Sequence, residues 1–393
     1  MRIGIDLRCL EEDKISGVGE YTLELLENIL KIDSPRFGEA GKKNKYLLFS
    51  NSFKGQNNRL ARLGKYPNVT QKIFHFPNKL LNLSLWFFGW PKLDKLIGGV
   101  DIFFAPNINF IAISRPCRFI ITFHDLSFER FTELFPLKTR LWHFLINSRK
   151  LARRAGKIIS VSESTGSDLQ KIYGARAGNI SVIPSGLSGE YKIIDRNNPK
   201  LLAVQKKYNL PYKFILTLGT VEPRKNVLSL IKAYENMRDN FPALEKYKLV
   251  VIGHISTFSG NVREHIERSK YKKDIMQTGY ADGKDKVYLY NLASLFVYPS
   301  LFEGFGFPPL EAMASGTPVI TSNNSSLPEV AGKTAVLIDP SRPDEITKVM
   351  QAVLSDEKLY NYLREEGLKR AQIFSWEKCA EESLALFQKV RAS

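Results

Sequence analysis

Short apolar runs alternate with amphipathic stretches along most of this chain. Residues 1–6, 45–50, 100–105, 119–123 and 157–162 are short runs rich in apolar and β-forming side chains, and 100–105 and 157–162 end in small or polar residues. Between them, 21–32 and 137–155 carry apolar residues at helical spacing. Apolar strands flanked by amphipathic helices predict a parallel sheet covered on both faces, with ligands at the carboxyl ends of its strands. A polar stretch over 188–200, containing Asp195-Arg196-Asn197-Asn198-Pro199, interrupts the pattern and reads as a linker. The alternation then restarts, with strands expected at 214–218, 248–252, 293–298 and 317–321 and helices at 227–239, 309–315 and 344–354. The expected organisation is α/β, with two Rossmann-like domains facing a cleft: an N-terminal domain over 1–187, a linker over 188–212 and a C-terminal domain over 213–375.

Composition adds little beyond this. At 393 residues the chain is too long for one typical core, and 44% hydrophobic with 25% charged residues describes an ordinary globular protein. Cys9, Cys117 and Cys379 are widely scattered, which argues against a disulfide framework or a zinc site and suits a reducing cytosol. The first apolar run is far too short for a signal sequence, and no apolar stretch reaches the roughly 20 residues of a spanning helix. The expected location is therefore cytoplasmic.

Charge changes the picture locally. Residues 41–100 hold eleven Lys and Arg against the single acid Asp94, supplying +10 of the formal +17. The same stretch contains Leu80-Leu81-Asn82-Leu83-Ser84-Leu85-Trp86-Phe87-Phe88-Gly89-Trp90. Two readings compete: an aromatic, basic surface in peripheral contact with the inner, anionic face of the cell membrane, or a solvated basic face beside a buried core segment. Nucleic acid is not expected, because the chain lacks a zinc-finger pattern, an RNP-like motif or a basic helix with heptads.

Candidate chemistry concentrates in the second half. Ser300-Leu301-Phe302-Glu303-Gly304-Phe305-Gly306-Phe307-Pro308-Pro309-Leu310-Glu311 places two carboxylates on either side of a Gly/Phe turn that runs into a helix started by proline. Glycines allow close approach of a ligand, the helix start suits phosphate, and the carboxylates of Glu303 and Glu311 can accept hydrogen bonds from vicinal hydroxyls. Glu311 is expected within the first turn. These features suit a sugar nucleotide. A second motif, Gly219-Thr220-Val221-Glu222-Pro223-Arg224-Lys225-Asn226, directly follows a strand, and adjacent guanidinium and ammonium groups can offset a departing diphosphate. No Asp-x-Asp follows a strand, so no metal or other cofactor is expected.

With the following Ala312-Met313-Ala314-Ser315-Gly316-Thr317-Pro318-Val319-Ile320, the Glu-x7-Glu spacing resembles the retaining GT-B glycosyltransferases of the glycogen-synthase-like group 1 type. Phe123-His124-Asp125 and Ser326-Leu327-Pro328-Glu329-Val330-Ala331-Gly332 carry the same resemblance, in the family's order. It implies that Glu303 holds the donor sugar and Glu311 the nucleotide ribose, with Gly304, Phe305 and Gly306 shaping the donor site. It further implies that Arg224 and Lys225 hold the diphosphate, that His124 stands at the donor sugar, and that Gly17 and Gly19 form a Gly-rich loop near donor and acceptor. In that family the last helix, here over 376–393, crosses back to the first domain. The chain departs from the family at Thr220, where relatives often carry Arg, and at Ser185, where they usually carry Asn. The wording around Glu303 and Arg224 looks most like mannosyl- and rhamnosyltransferases of surface polysaccharide assembly. The expected reaction is metal-independent transfer of a hexose, first mannose from GDP-mannose, to a glycan or lipid-linked glycan. An epimerase on the same fold and a silent sugar-nucleotide-binding scaffold are the rival readings.

Overall fold

The computed structural model describes residues 1–11, 15–34, 44–53, 58–254 and 260–392. Lys42, Lys43 and Lys54 of the basic stretch lie outside the described residues. Two compact units divide the chain, one of residues 1–186 with 375–393 and the other of residues 187–374.

The first unit is built on seven parallel strands: β1 Arg2–Asp6, β2 Lys45–Asn51, β3 Val69–Phe74, β4 Ile102–Ala105, β5 Arg118–Phe123, β6 Lys157–Ser160 and β7 Ile180–Val182. Their order is β3-β2-β1-β4-β5-β6-β7, so the topology reverses between β1 and β4. Alternation along each strand sends side chains to opposite faces. Phe103, Phe119 and Ile121 join Leu81, Leu85 and Ile146 in one apolar cluster. Phe104 and Thr122 face the other way, where Phe104 meets Phe387 of the helix Trp376–Ala392 and Thr122 meets Tyr21 of the helix Gly17–Asp33. The single helix expected over 137–155 is two, Leu137–Ile146 and Ser148–Arg154. Asn147 breaks it in the left-handed region at φ 54° and caps the second piece by accepting from Lys150 N at 3.1 Å.

The second unit repeats the plan with six parallel strands: β8 Phe214–Leu218, β9 Lys248–Ile252, β10 Ile275–Gly279, β11 Leu295–Tyr298, β12 Val319–Ser322 and β13 Val336–Ile338. The order β10-β9-β8-β11-β12-β13 reverses between β8 and β11. Residues 188–212, read from sequence as a linker, include the helix Pro199–Lys207, whose Leu201 and Val204 are buried. The stretch just before it is tied down, since Asn291 accepts from Ile194 N at 2.8 Å and donates to Lys192 O at 2.9 Å.

Candidate active site

Loops leaving β8 and β11 meet at the switch point of the second sheet, where open α/β sheets place their ligands. After β8, Pro223–Lys225 forms a short 3-10 turn stopped by Asn226 in the left-handed region. After β11, the Gly/Phe loop turns back toward it, and Leu301 N donates to Arg224 O at 2.8 Å. The two motifs read separately from sequence are thereby one cluster. Lys225 Nζ donates to Glu303 Oε1 at 2.6 Å, and Arg224 Nη1 donates to Glu303 Oε2 at 3.1 Å and to Phe302 O at 2.6 Å. Arg224 Nη2 also donates to Glu222 at 2.8 Å.

Glu303 is held further by two hydroxyls, with Tyr298 OH at 2.9 Å and Ser300 Oγ at 2.6 Å from Oε1. Burial alone would raise its pKa, but the charges of Arg224 and Lys225 outweigh burial and hold the carboxyl at about 2. Burial pushes the Lys225 ammonium below its usual range, and the charge of Glu303 opposes that shift. The cluster therefore sets opposed charges against one another inside the protein. Each carboxylate oxygen already has donors, so Glu303 meets a substrate hydroxyl only by sharing or exchanging them.

The loop itself is packed inward. Gly304, Phe305 and Gly306 are all buried, and the Phe305 ring lies 5.0 Å from Phe307 and 5.7 Å from Phe374. Gly306 sits at φ 112°, and a Cβ there would come within 2.9 Å of Leu327 Cδ2. Backbone conformation and packing thus require that glycine, whatever else it does. The helix Phe307–Ala314 starts immediately after, with proline in its first turn. Glu311 follows that turn instead of lying within it, away from the unpaired N–H groups of the helix start. Its carboxylate is buried and accepts from Tyr290 OH at 2.7 Å.

Comparison with known proteins now decides the family. The sequence model described as glycosyl transferases group 1 matches residues 202–370, and that of glycosyltransferase family 4 matches residues 48–190. O-antigen chain mannosyltransferase B of Escherichia coli is 33% identical over 73% of this chain and 74% of its own length. The chain is a group 1 glycosyltransferase. The serotype-specific mannosyltransferase WbdA of Escherichia coli is 32% identical over 64% of this chain, a match that spans 31% of that longer protein. HepE from Anabaena, solved with UDP and glucose, superposes with a TM-score of 0.72 at 16% identity, covering 99% of this chain and 100% of that one. The two parallel-sheet units are those of the GT-B fold.

In the first unit of this glycosyltransferase, the remaining predicted residues stand around the other switch point. His124 follows β5, and its Nε2 lies 2.8 Å from the carbonyl of Pro106, just past β4. Its ring meets Tyr21 edge-on at 4.6 Å, and Tyr21 is in turn edge-on to Trp376 at 5.6 Å. Burial holds the imidazole below its usual range, against the opposing pull of Pro106 O and Asp125. Asp125 accepts from Ser127 N at 2.9 Å and Ser127 Oγ at 2.7 Å, a turn-forming role at the start of a short helix. Gly17 and Gly19 open the helix Gly17–Asp33, where Ser16 caps the N–H of Gly19. Gly17 is exposed with open space where a Cβ would be, whereas a Cβ on Gly19 would meet Ile15 at 2.8 Å.

Several neighbours escaped the sequence reading. Tyr298 and Tyr290 look like ordinary core aromatics, and only a hydroxyl at a strand's carboxyl end signalled the first. At the end of β1, Asp6 pairs with Arg8 at 2.6 Å, both side chains buried, and Arg8 also donates to Phe110 O at 2.8 Å. Glu190, on the surface, has its carboxyl raised above the usual range, first by partial desolvation and then by the charge of Glu311.

Proposed function

We propose that this glycosyltransferase moves a hexose, with GDP-mannose as its first donor, onto a hydroxyl of a glycan or lipid-linked glycan in surface polysaccharide assembly. The reaction retains anomeric configuration and uses no metal. The observation that carries this reading is the convergence of Arg224, Lys225 and Glu303 at the switch point of the second sheet. Relatives named as O-antigen mannosyltransferases support mannose as the sugar.

In this mechanism Arg224 and Lys225 hold the diphosphate. The ammonium of Lys225 has three N–H donors, of which Tyr298 and Glu303 take two, leaving one for a phosphate oxygen. As the bond from the anomeric carbon to the phosphate oxygen breaks, charge grows on the diphosphate and the fixed cations stabilise it. The acceptor oxygen bonds to the anomeric carbon on the same face, and its proton passes to the departing phosphate. This requires positioning and charge more than a protein base. Glu303 accepts from the sugar hydroxyls, and Glu311, oriented by Tyr290, accepts from the ribose. His124 stands at the donor sugar, and Gly17 and Gly19 shape the loop near donor and acceptor.

A panel of nucleotide sugars tests the reading by thermal shift and calorimetry in EDTA. GDP-mannose is expected to raise the melting temperature most, because a ligand bound only to the folded state stabilises it by mass action. Lys225→Ala and Arg224→Ala are expected to lower turnover at least about a hundredfold, the scale of losing one oxyanion donor. Activity lost in EDTA and restored by magnesium would give the diphosphate to a metal instead. A first-formed sugar of inverted configuration by NMR would remove retention.

A further inference from the structure

In the second unit, β12 is followed by Asn323-Asn324-Ser325-Ser326 and the short helix Leu327–Ala331. This loop lies against the Gly/Phe turn after β11, because β11 and β12 are parallel neighbours whose loops leave the same end of the sheet. Two serines make the contact. Ser325 Oγ accepts from Glu303 N at 3.0 Å, and Ser326 Oγ lies 2.9 Å from Glu303 O and 2.7 Å from Phe305 O. Both of these oxygens are carbonyls, so the single proton of the Ser326 hydroxyl is shared between them. The N–H and carbonyl of Glu303 are thus held by this loop, while its carboxylate is held by Arg224, Lys225, Tyr298 and Ser300.

Further bonds anchor the loop. Asn323 N donates to Ile338 O at 2.8 Å, Leu327 N donates to Asn324 O at 3.3 Å, and Arg370 Nε donates to Val330 O at 2.9 Å. Ser326 is buried, and Leu327 beside it is the side chain that a Cβ on Gly306 would meet. Ser325 stands in the left-handed region at φ 52°, which non-glycine residues enter at a cost. That conformation coincides with the placing of two neighbouring hydroxyls on the backbone of Glu303 and Phe305.

Peptide geometry turns these bonds into a direction. In a planar trans peptide the N–H points opposite to the carbonyl of the preceding residue. By drawing Glu303 O and Phe305 O toward itself, Ser326 turns the N–H groups of Gly304 and Gly306 away from the loop. Donors from this turn matter because the helix that follows has few. Of its first three residues, Phe307, Pro308 and Pro309, only Phe307 carries an N–H at all.

We propose that Ser325 and Ser326 are positioning residues for the transfer reaction. They fix the peptide planes of 303–306, so that the amides of Gly304 and Gly306 are aimed at an oxygen of the donor diphosphate while the carboxylate of Glu303 keeps its place. The inference rests on the reading of Glu303, Arg224 and Lys225 as the donor site, and it gives a role to the motif that begins at Ser326. The serines act through the turn and not on the donor. Their effect is largest in the transition state, where charge on the diphosphate is greatest.

Transfer kinetics with GDP-mannose, alongside calorimetry with inorganic pyrophosphate, test it. Pyrophosphate bound by the wild type and lost in Lys225→Ala checks the donor site independently of the serines. Ser326→Ala is expected to lower kcat at least about tenfold, with KM for GDP-mannose changed by less than about threefold. Ser326→Thr keeps the hydroxyl and is expected to restore most of the rate. A purely structural serine would lower the melting temperature and leave kcat per folded enzyme unchanged. Ser325→Gly removes the other hydroxyl at a φ that glycine adopts freely, is expected to lose about as much in kcat, and keeps the test decisive if Ser326→Ala unfolds. Folded Ser326→Ala with the wild-type kcat overturns the proposal and leaves the donor site standing. So does Ser325→Gly at the wild-type rate together with a Ser326→Ala loss that Ser326→Thr does not restore. A wild type that binds no pyrophosphate overturns the donor site and this inference with it.

Discussion

Around β11 the charged side chains of Glu303, Arg224 and Lys225 lie inside the protein, while along the helices Asn78–Phe87 and Leu137–Ile146 large apolar side chains lie outside it. Both regions reverse the usual partition of residues, for different reasons. Buried charge is tolerated because the fold supplies each carboxylate oxygen with donors at bonding distance, so the desolvation cost is offset within the chain. Exposed Leu, Phe and Trp receive no such compensation from the described residues around them. The first region satisfies the charge of Glu303 within the chain, and the second leaves large apolar side chains in solvent. A sugar hydroxyl must therefore compete with the bonds Glu303 already makes, whereas the exposed apolar side chains have no such bonds to exchange.

The sharpest way to break this contrast is to remove the carboxylate. Glu303→Ala leaves Lys225 buried without its carboxylate and Arg224 with Glu222 alone, and is expected to cost about 3–5 kcal/mol in urea unfolding, together with loss of transfer. A variant as stable as the parent would show that the cluster is solvated in solution. The same group sets a pH dependence. Its folded-state pKa lies below the usual 4.5, at about 2, so its stabilising contribution is fully present above about pH 4.5 and is lost as pH falls toward 2. Glu303→Gln is expected to flatten the fall in melting temperature across that window.

Neighbouring leucines of one helix sharpen the other side. Leu85→Ala, in the core cluster, is expected to cost about 2–5 kcal/mol, whereas Leu83→Ala, exposed one half-turn away, is expected to stay within about 0.5 kcal/mol. Equal losses at both positions would mean that Leu83 is covered within the protein itself. Tyr298→Phe is expected to have the smallest effect at the ion cluster. It removes a hydroxyl that bonds both Lys225 and Glu303 while keeping the ring, at a cost of about 1–3 kcal/mol in the unfolding midpoint. A neutral result would assign the orientation of Glu303 to Ser300 and the two cations alone.

The central strands could be read from sequence because burial on both faces makes them continuous apolar runs, as in β4, β5, β8 and β11. The strands missed, β3, β7, β10 and β13, are the four sheet edges, half solvated and so without that signature. The motifs around Glu303 and Arg224 were likewise visible as residue types at fixed local spacing. Their union was not. Lys225 and Glu303 are 78 positions apart, and only the parallel pairing of β8 with β11 brings their loops together. Tyr298 took its role from that same pairing. The direction of each leucine in 80–87 was also beyond the sequence, because a helix apolar on both sides has a period but no mark of which side meets the core. Local chemistry and buried runs are written in the order of residues; partners across the sheet and the choice of outward face exist only once the layers have packed.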